Sequence, residues 1–183
     1  VCSSDLAWEE HHKVSADTAP FYLIRQSINF MAEPDVDRLL RTIHQLCKKM
    51  GELPALVVVD TVSRVLPGAD ENLQKDMTLF IRACDEVRQN FAATVIGVHH
   101  TSRNGNLRGS TVFDGAGDFL ALIEKEEGEM SGVMTAKKIK SAQDGWKQYF
   151  DLKEVTVDRK IKEIKSLVAV AVRSEEHTSE LQS

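Results

Sequence analysis

The sequence predicts an α/β fold built on a doubly wound, mainly parallel sheet, and three observations carry that expectation. Leu56–Asp60 (L-V-V-V-D) and Thr94–Val98 (T-V-I-G-V) are short apolar runs rich in β-branched residues, the composition of central strands buried on both faces. Between them, Leu73, Met77, Phe80, Ile81, Cys84 and Val87 recur at helical spacing, so one amphipathic helix connects two strands. Strand, helix and strand at this pace imply a right-handed crossover and parallel pairing.

The remaining elements follow in order. Ala7–Asp17 is polar and reads as helical at its start, and Phe21–Ile24 (F-Y-L-I) reads as a short apolar strand. Pro34 stands where a first helical turn tolerates it. Val36, Leu39, Leu40, Ile43, Leu46, Cys47 and Met50 then form one apolar stripe, ended by Gly51 and Pro54. After the second central strand comes a polar, glycine-containing loop, Ser102–Gly109, with Gly115 and Gly117 beyond it. Phe119–Ile123 and Val133–Lys138 read as strands about a turn at Glu126–Gly128. Trp146–Phe150 and Val155–Val157 read as late strands at the sheet edge.

Both ends of the chain read as translated sequencing adapter. Arg173–Ser183 (R-S-E-E-H-T-S-E-L-Q-S) back-translates to a common adapter, and Val1–Leu6 (V-C-S-S-D-L) to the reverse complement of its beginning. Residues 7–172 are therefore expected to be an internal piece of a longer reading frame, the C-terminal part of one domain. Of the net charge of −5, Asp5 gives −1 and Arg173, Glu175, Glu176 and Glu180 together give −2. What remains is close to neutral, which argues against a strongly basic nucleic-acid binder or an acidic tail. Cys47 and Cys84 are far apart with no metal-binding spacing, as expected of free thiols in a reducing, cytoplasmic setting. No run is long enough to span a membrane as a helix.

Three constellations carry chemistry. Asp60 ends an apolar strand, and ligands of open α/β sheets bind at the carboxyl ends of strands. A buried strand followed by an Asp-initiated turn is also ordinary architecture. His99 and His100 end the second strand; neighbours on a strand face opposite ways, so at most one shares a site with Asp60. Arg103, Asn104 and Arg108 lie in the polar loop, apt for nucleic-acid phosphates or simply solvated. Lys138 and Lys140 alternate onto one face of a strand, fit either to hold a phosphate or to protect a sheet edge.

The order of these pieces resembles the RecA-like P-loop ATPases, and most closely the plasmid RepA-type hexameric helicases and related phage and prophage AAA family ATPases. V-V-V-D-T-V-S-R-V-L-P-G-A-D-E-N (Val57–Asn72) and G-V-H-H-T-S-R (Gly97–Arg103) are the most specific strings. The resemblance implies ATP and Mg²⁺ as cofactors, single-stranded DNA as partner and a homo-oligomeric, hexameric ring. By that likeness Asp60 is the Walker B acid, with Thr61 beside it at the nucleotide. His100 looks like the γ-phosphate sensor, Arg103, Asn104 and Arg108 like the DNA-facing loop, and Lys138 and Lys140 like fingers reaching a neighbour's ATP.

The sequence departs from that pattern in three places. It contains no G-x-x-x-x-G-K-[ST] phosphate loop, no residue that stands for the family's catalytic glutamate, and Gly117–Asp118 where an arginine finger would follow Arg108-Gly109-Ser110. The chain alone is thus expected to be inactive. Two other readings stay open: a non-hydrolysing DNA- or partner-binding module, and a metal-dependent hydrolase using Asp60, a histidine and Asp114 or Asp118.

Overall fold

A computed structural model describes residues 3–15, 20–70, 73–101, 110–125, 127–159 and 162–172. The elements run α1 (Ser3–His12), α2 (Glu33–Met50), β1 (Leu56–Asp60), α3 (Val62–Val65), α4 (Gln74–Phe91), β2 (Thr94–Val98), α5 (Ser110–Ala116), β3 (Phe119–Glu124), β4 (Ser131–Ile139), β5 (Lys147–Arg159) and β6 (Lys162–Val172). They divide into two units, Ile24–Gly117 and the described parts of 1–23 and 118–183.

In the first unit β1 and β2 pair in parallel, with Leu56 opposite Thr94 and Asp60 opposite Val98. Thirty-three residues separate the two strands, enough for the crossover that parallel pairing requires. α2 begins with Pro34 in its first turn and closes at Gly51, whose left-handed backbone (φ 78) lets its N–H reach the Cys47 carbonyl. Val36, Leu39 and Ile43 form its buried stripe. α4 buries Met77, Phe80, Ala83, Val87 and Phe91 and closes at Ala92, also left-handed. Met77 is fully buried, a gain of roughly 1.5–3 kcal/mol over leaving such a side chain in water.

The helices cover only one face of this sheet. Val57, Val59 and Val95 pack against the helical core, whereas Leu56, Val58, Ile96 and Val98 are exposed. The expectation of strands buried on both faces is corrected: an unbroken β-branched run hides the alternation that the covered and uncovered faces impose. Within the core Phe80 stacks on Phe30 (5.8 Å between centroids) and meets Phe113 edge-on (6.0 Å). Its ring also lies over Gly97, where an added Cβ would stand 2.9 Å from Phe80 Cζ and 3.2 Å from Val62 Cγ2.

The second unit is an antiparallel meander, β3-β4-β5-β6. The mainly parallel sheet expected across the whole chain is therefore not what the described residues form; among them, only β1 and β2 pair in parallel. The cause is connection length. Six, seven and two residues join β3 to β4, β4 to β5 and β5 to β6, too few for crossovers. The two late edge strands expected at Trp146–Phe150 and Val155–Val157 are one strand, β5, and β6 was not anticipated. Phe21–Ile24, expected as a strand, has no strand pairing, and Phe21, Tyr22 and Leu23 are exposed. α1 packs on β5 and β6 through the fully buried Ala7. A bulge at Lys137 shifts the β3–β4 register between Leu120 and Ala121. Among the described residues, no helix is long and apolar enough to cross a membrane.

Two predictions follow from this packing. Gly97→Ala lowers stability by about 1–3 kcal/mol, measured by chemical denaturation. In a Phe80→Leu background the same substitution costs less, because the ring that clashes is gone. Cys84 is the second case: burial, with Asp85 adding to it, pushes its thiol up to about 12 from an ordinary 9.0. The folded thiol thus stays protonated where an unfolded one ionises, so its stabilising contribution is complete below pH 9 and is lost as pH rises toward 12. At pH 8 Cys84, partly accessible but held protonated, should label with a maleimide more slowly in the folded chain than in the chain unfolded in urea, as read by peptide mass spectrometry.

Candidate nucleotide site

The site is built at the carboxyl end of the parallel pair. Asp60, last residue of β1, is exposed, and among the described residues no hydrogen bond or ion pair occupies its carboxylate. Parallel partners share a face, so Asp60 and Val98 emerge side by side on the face that the helices leave open. The Asp60–Thr61 peptide is cis. Thr61 then caps the single turn of α3 in extended backbone, with its hydroxyl 2.9 Å from that of Ser63. Val62, next in line, is buried to 1 % exposure. A fully packed residue two positions from an exposed acid fixes where that acid leaves the sheet.

A second tether comes from Phe30. Its backbone N–H donates to the Val65 carbonyl (2.7 Å), at the end of α3. The residues around it are held locally: Asn29 N–H donates to Asp35 Oδ2, and Asn29 Oδ1 accepts from Met31 N–H, both at 2.9 Å. The turn after Asp60 is thus tied to the segment leading into α2.

The two histidines separate as strand geometry requires. His99 is half-buried against the Phe113 ring of α5, 5.6 Å between centroids. His100 is exposed. Of the pair, His100 is the one that shares the exposure of Asp60 and Val98, while His99 belongs to the aromatic series Phe30, Phe80, Phe113. Phe30, Phe80, Phe113 and Gly97 escaped sequence reasoning as determinants of this site. The signal available was a glycine inside an otherwise β-branched strand, which marks close approach by a neighbour.

Arg103, Asn104 and Arg108 lie outside the described residues. Lys138 and Lys140 belong to the antiparallel unit. Lys138 lies in β4 opposite Leu120 and is half-buried. Lys140 stands just past the strand, where its backbone N–H donates to the Asp118 carbonyl (2.9 Å) and its ammonium to Asp118 Oδ1 (2.8 Å). Both side chains of that ion pair are well exposed, so it contributes at most about 1 kcal/mol. Among the described residues, no three His, Cys, Asp or Glu side chains converge as a metal-binding group.

An acid released at the tip of a parallel strand, beside a second tip carrying a polar side chain, has the layout of a nucleotide-binding sheet. Residues 6–106 match the family described as AAA domain, more than half of the 183-residue chain. The chain belongs to the AAA domain family. No curated protein matches the chain. The AAA match takes in α2, β1, α3, α4 and β2, hence Asp60, Thr61 and His100, and ends at residue 106, outside the described residues. Lys138 and Lys140 lie beyond it.

The Lys140–Asp118 pair can be weighed directly. A double-mutant cycle with Lys140→Ala and Asp118→Ala should give a coupling of no more than about 1 kcal/mol, measured by urea denaturation.

Proposed function

We propose that this AAA domain serves an ATP-driven DNA helicase or translocase of the RecA-like, RepA-type class, working as a homo-oligomeric ring. The observation that supports it best is the position of Asp60. It is exposed at the carboxyl end of β1, level with Val98 on β2, inside the stretch that matches the family. Its chemistry fits Mg²⁺, which takes hard oxygen ligands and uses one or two carboxylates together with nucleotide phosphates rather than an all-protein cage. A bound Mg²⁺–ATP would supply the reactive phosphoryl group and neutralise charge on its oxygens.

The chain's own residues would then divide the work. Asp60 would hold the metal through water, with the Thr61 hydroxyl next to it. His100, exposed beyond the neighbouring strand tip, would contact the γ-phosphate and pass its presence to the stretch carrying Arg103, Asn104 and Arg108. That stretch grips the backbone of single-stranded DNA without reading bases. Lys138 and Lys140 reach toward ATP on an adjacent subunit; for Lys140 this requires release from Asp118, which an exposed pair permits at small cost.

In a reading frame that supplies the phosphate loop, Asp60→Asn abolishes hydrolysis, with kcat falling at least about a hundredfold in a phosphate-release assay while the fold is retained. Hydrolysis by that variant at the wild-type rate overturns the assignment. The 183-residue chain, having no G-x-x-x-x-G-K-[ST] motif, is expected to show no ATPase activity of its own. The absence of that motif equally suits a non-hydrolysing DNA- or partner-binding module; a parent frame that also lacks it would favour that reading.

A further inference from the structure

The connection between β4 and β5 forms a hollow in the antiparallel unit that the nucleotide reading does not use. It has a volume of about 520 Å³ and is lined by Ile139, Ala142, Gln143, Asp144, Gly145 and Trp146. The hollow is shallow and open to solvent, so a ligand there is held against one face rather than enclosed. Every lining residue except the half-buried Ile139 is exposed, and Trp146 keeps 51 % of its surface open. An indole this exposed forgoes about half of the burial that usually places tryptophan.

The backbone around Trp146 is nonetheless pinned. Ala136 N–H donates to the Trp146 carbonyl and Gly145 N–H to the Ala136 carbonyl, both at 2.8 Å. Gly145 has φ 88, a left-handed turn that a side chain would strain. Asp144 Oδ1 accepts from Ile139 N–H across the same turn. The indole is thus presented from a fixed backbone.

Charge distinguishes this end of the sheet. Lys137, Lys138 and Lys140 close β4 and Lys147 opens β5, at one end of the sheet, where Thr135 pairs with Lys147. Glu124, Glu127 and Glu129 are at the opposite end, around the β3–β4 turn. Asp118 neutralises Lys140 locally, and Asp144 adds one negative charge within the hollow.

We infer that this hollow binds a nucleotide unit, its base stacked on Trp146 and its phosphate drawn to the basic end of the sheet. Stacking on an exposed aromatic beside cations is how base-tolerant nucleotide recognition works. Asp144 and Gln143 suit the base edge: the carboxylate oxygen not engaged by Ile139 accepts from an exocyclic amino group, and the Gln143 amide both donates and accepts. The unit is either part of a single strand of nucleic acid or a free mononucleotide, and the titrations below separate the two. Lys138 and Lys140 are shared with the ATPase reading, but Trp146, Gln143 and Asp144 have no part in it and lie outside the matched stretch, so substitutions at Trp146 test this site separately.

The test uses the intact 183-residue chain with Trp8→Phe, which leaves Trp146 as the sole indole. Its fluorescence is titrated with a mixed-sequence single-stranded 12-mer and, separately, with AMP and CMP. Saturable quenching that weakens with added salt is expected. Quenching by the 12-mer alone identifies a strand; equal quenching by mononucleotides at matched nucleotide concentration identifies a free nucleotide. Trp146→Ala should weaken 12-mer binding, followed by anisotropy of a labelled oligonucleotide, roughly 5- to 150-fold, and Trp146→Phe should restore much of it. No quenching by any of the three probes overturns the proposal, as does unchanged affinity in a folded Trp146→Ala variant. Should Trp146→Ala fail to fold by circular dichroism, the quenching titration decides alone.

Discussion

The first unit depends on one close contact, the Phe80 ring seated over Gly97. With no Cβ at Gly97, α4 approaches β2 near enough for Phe80 to touch both the strand and Val62. Phe30 and Phe113 hold the same ring from two other directions. Gly97 pairs with Val59, the residue before Asp60, and Val62 follows Asp60 by two. The contact therefore acts on both sides of the acid at once. In a densely packed interior, displacing such a ring shifts its neighbours rather than deforming one side chain. The position of this exposed acid is set by the apolar packing behind it.

That packing is one-sided. Helices α2 and α4 and the aromatic residues cover Val57, Val59 and Val95, while Leu56, Val58, Ile96 and Val98 face outward. Asp60 emerges on the outward face and His99 is held by Phe113. The same alternation that leaves apolar side chains exposed thus sorts the two histidines, leaving His100 on the open side. In the antiparallel unit, short connections impose a meander, and the turn held by Gly145 and Asp144 sets Trp146 in the open.

Much of the first unit was legible because its signals are local. The stripe from Val36 to Met50, Pro34 and Gly51 mark α2 through helical periodicity and terminal chemistry, and β1, α4 and β2 follow from runs whose period or β-branching is unambiguous. The exposed acid at the end of β1 was legible for the same reason. Coverage of the sheet was not, since L-V-V-V reads alike whether one face is packed or two. Nor was pairing direction in the second half: the strands were visible, but only connection length separates a meander from a crossover sheet, and fusing Trp146–Phe150 with Val155–Val157 into one strand shortens those connections. The aromatic set about Gly97 joins residues from 30 to 113, and no local pattern announces contacts at that separation. Phe21–Ile24 shows the reverse error, an apolar β-rich tetrapeptide that finds no strand beside it.

The role proposed for Asp60 needs a nucleotide held by a phosphate loop. Recovery and sequencing of the natural DNA around the codon for Ala7 tests that need. A frame encoding a strand, a G-x-x-x-x-G-K-[ST] loop opening a helix, and a later strand ending in glutamate is the expected result. A continuous upstream frame without that loop would contradict it, for Asp60 would then have no bound phosphate to serve.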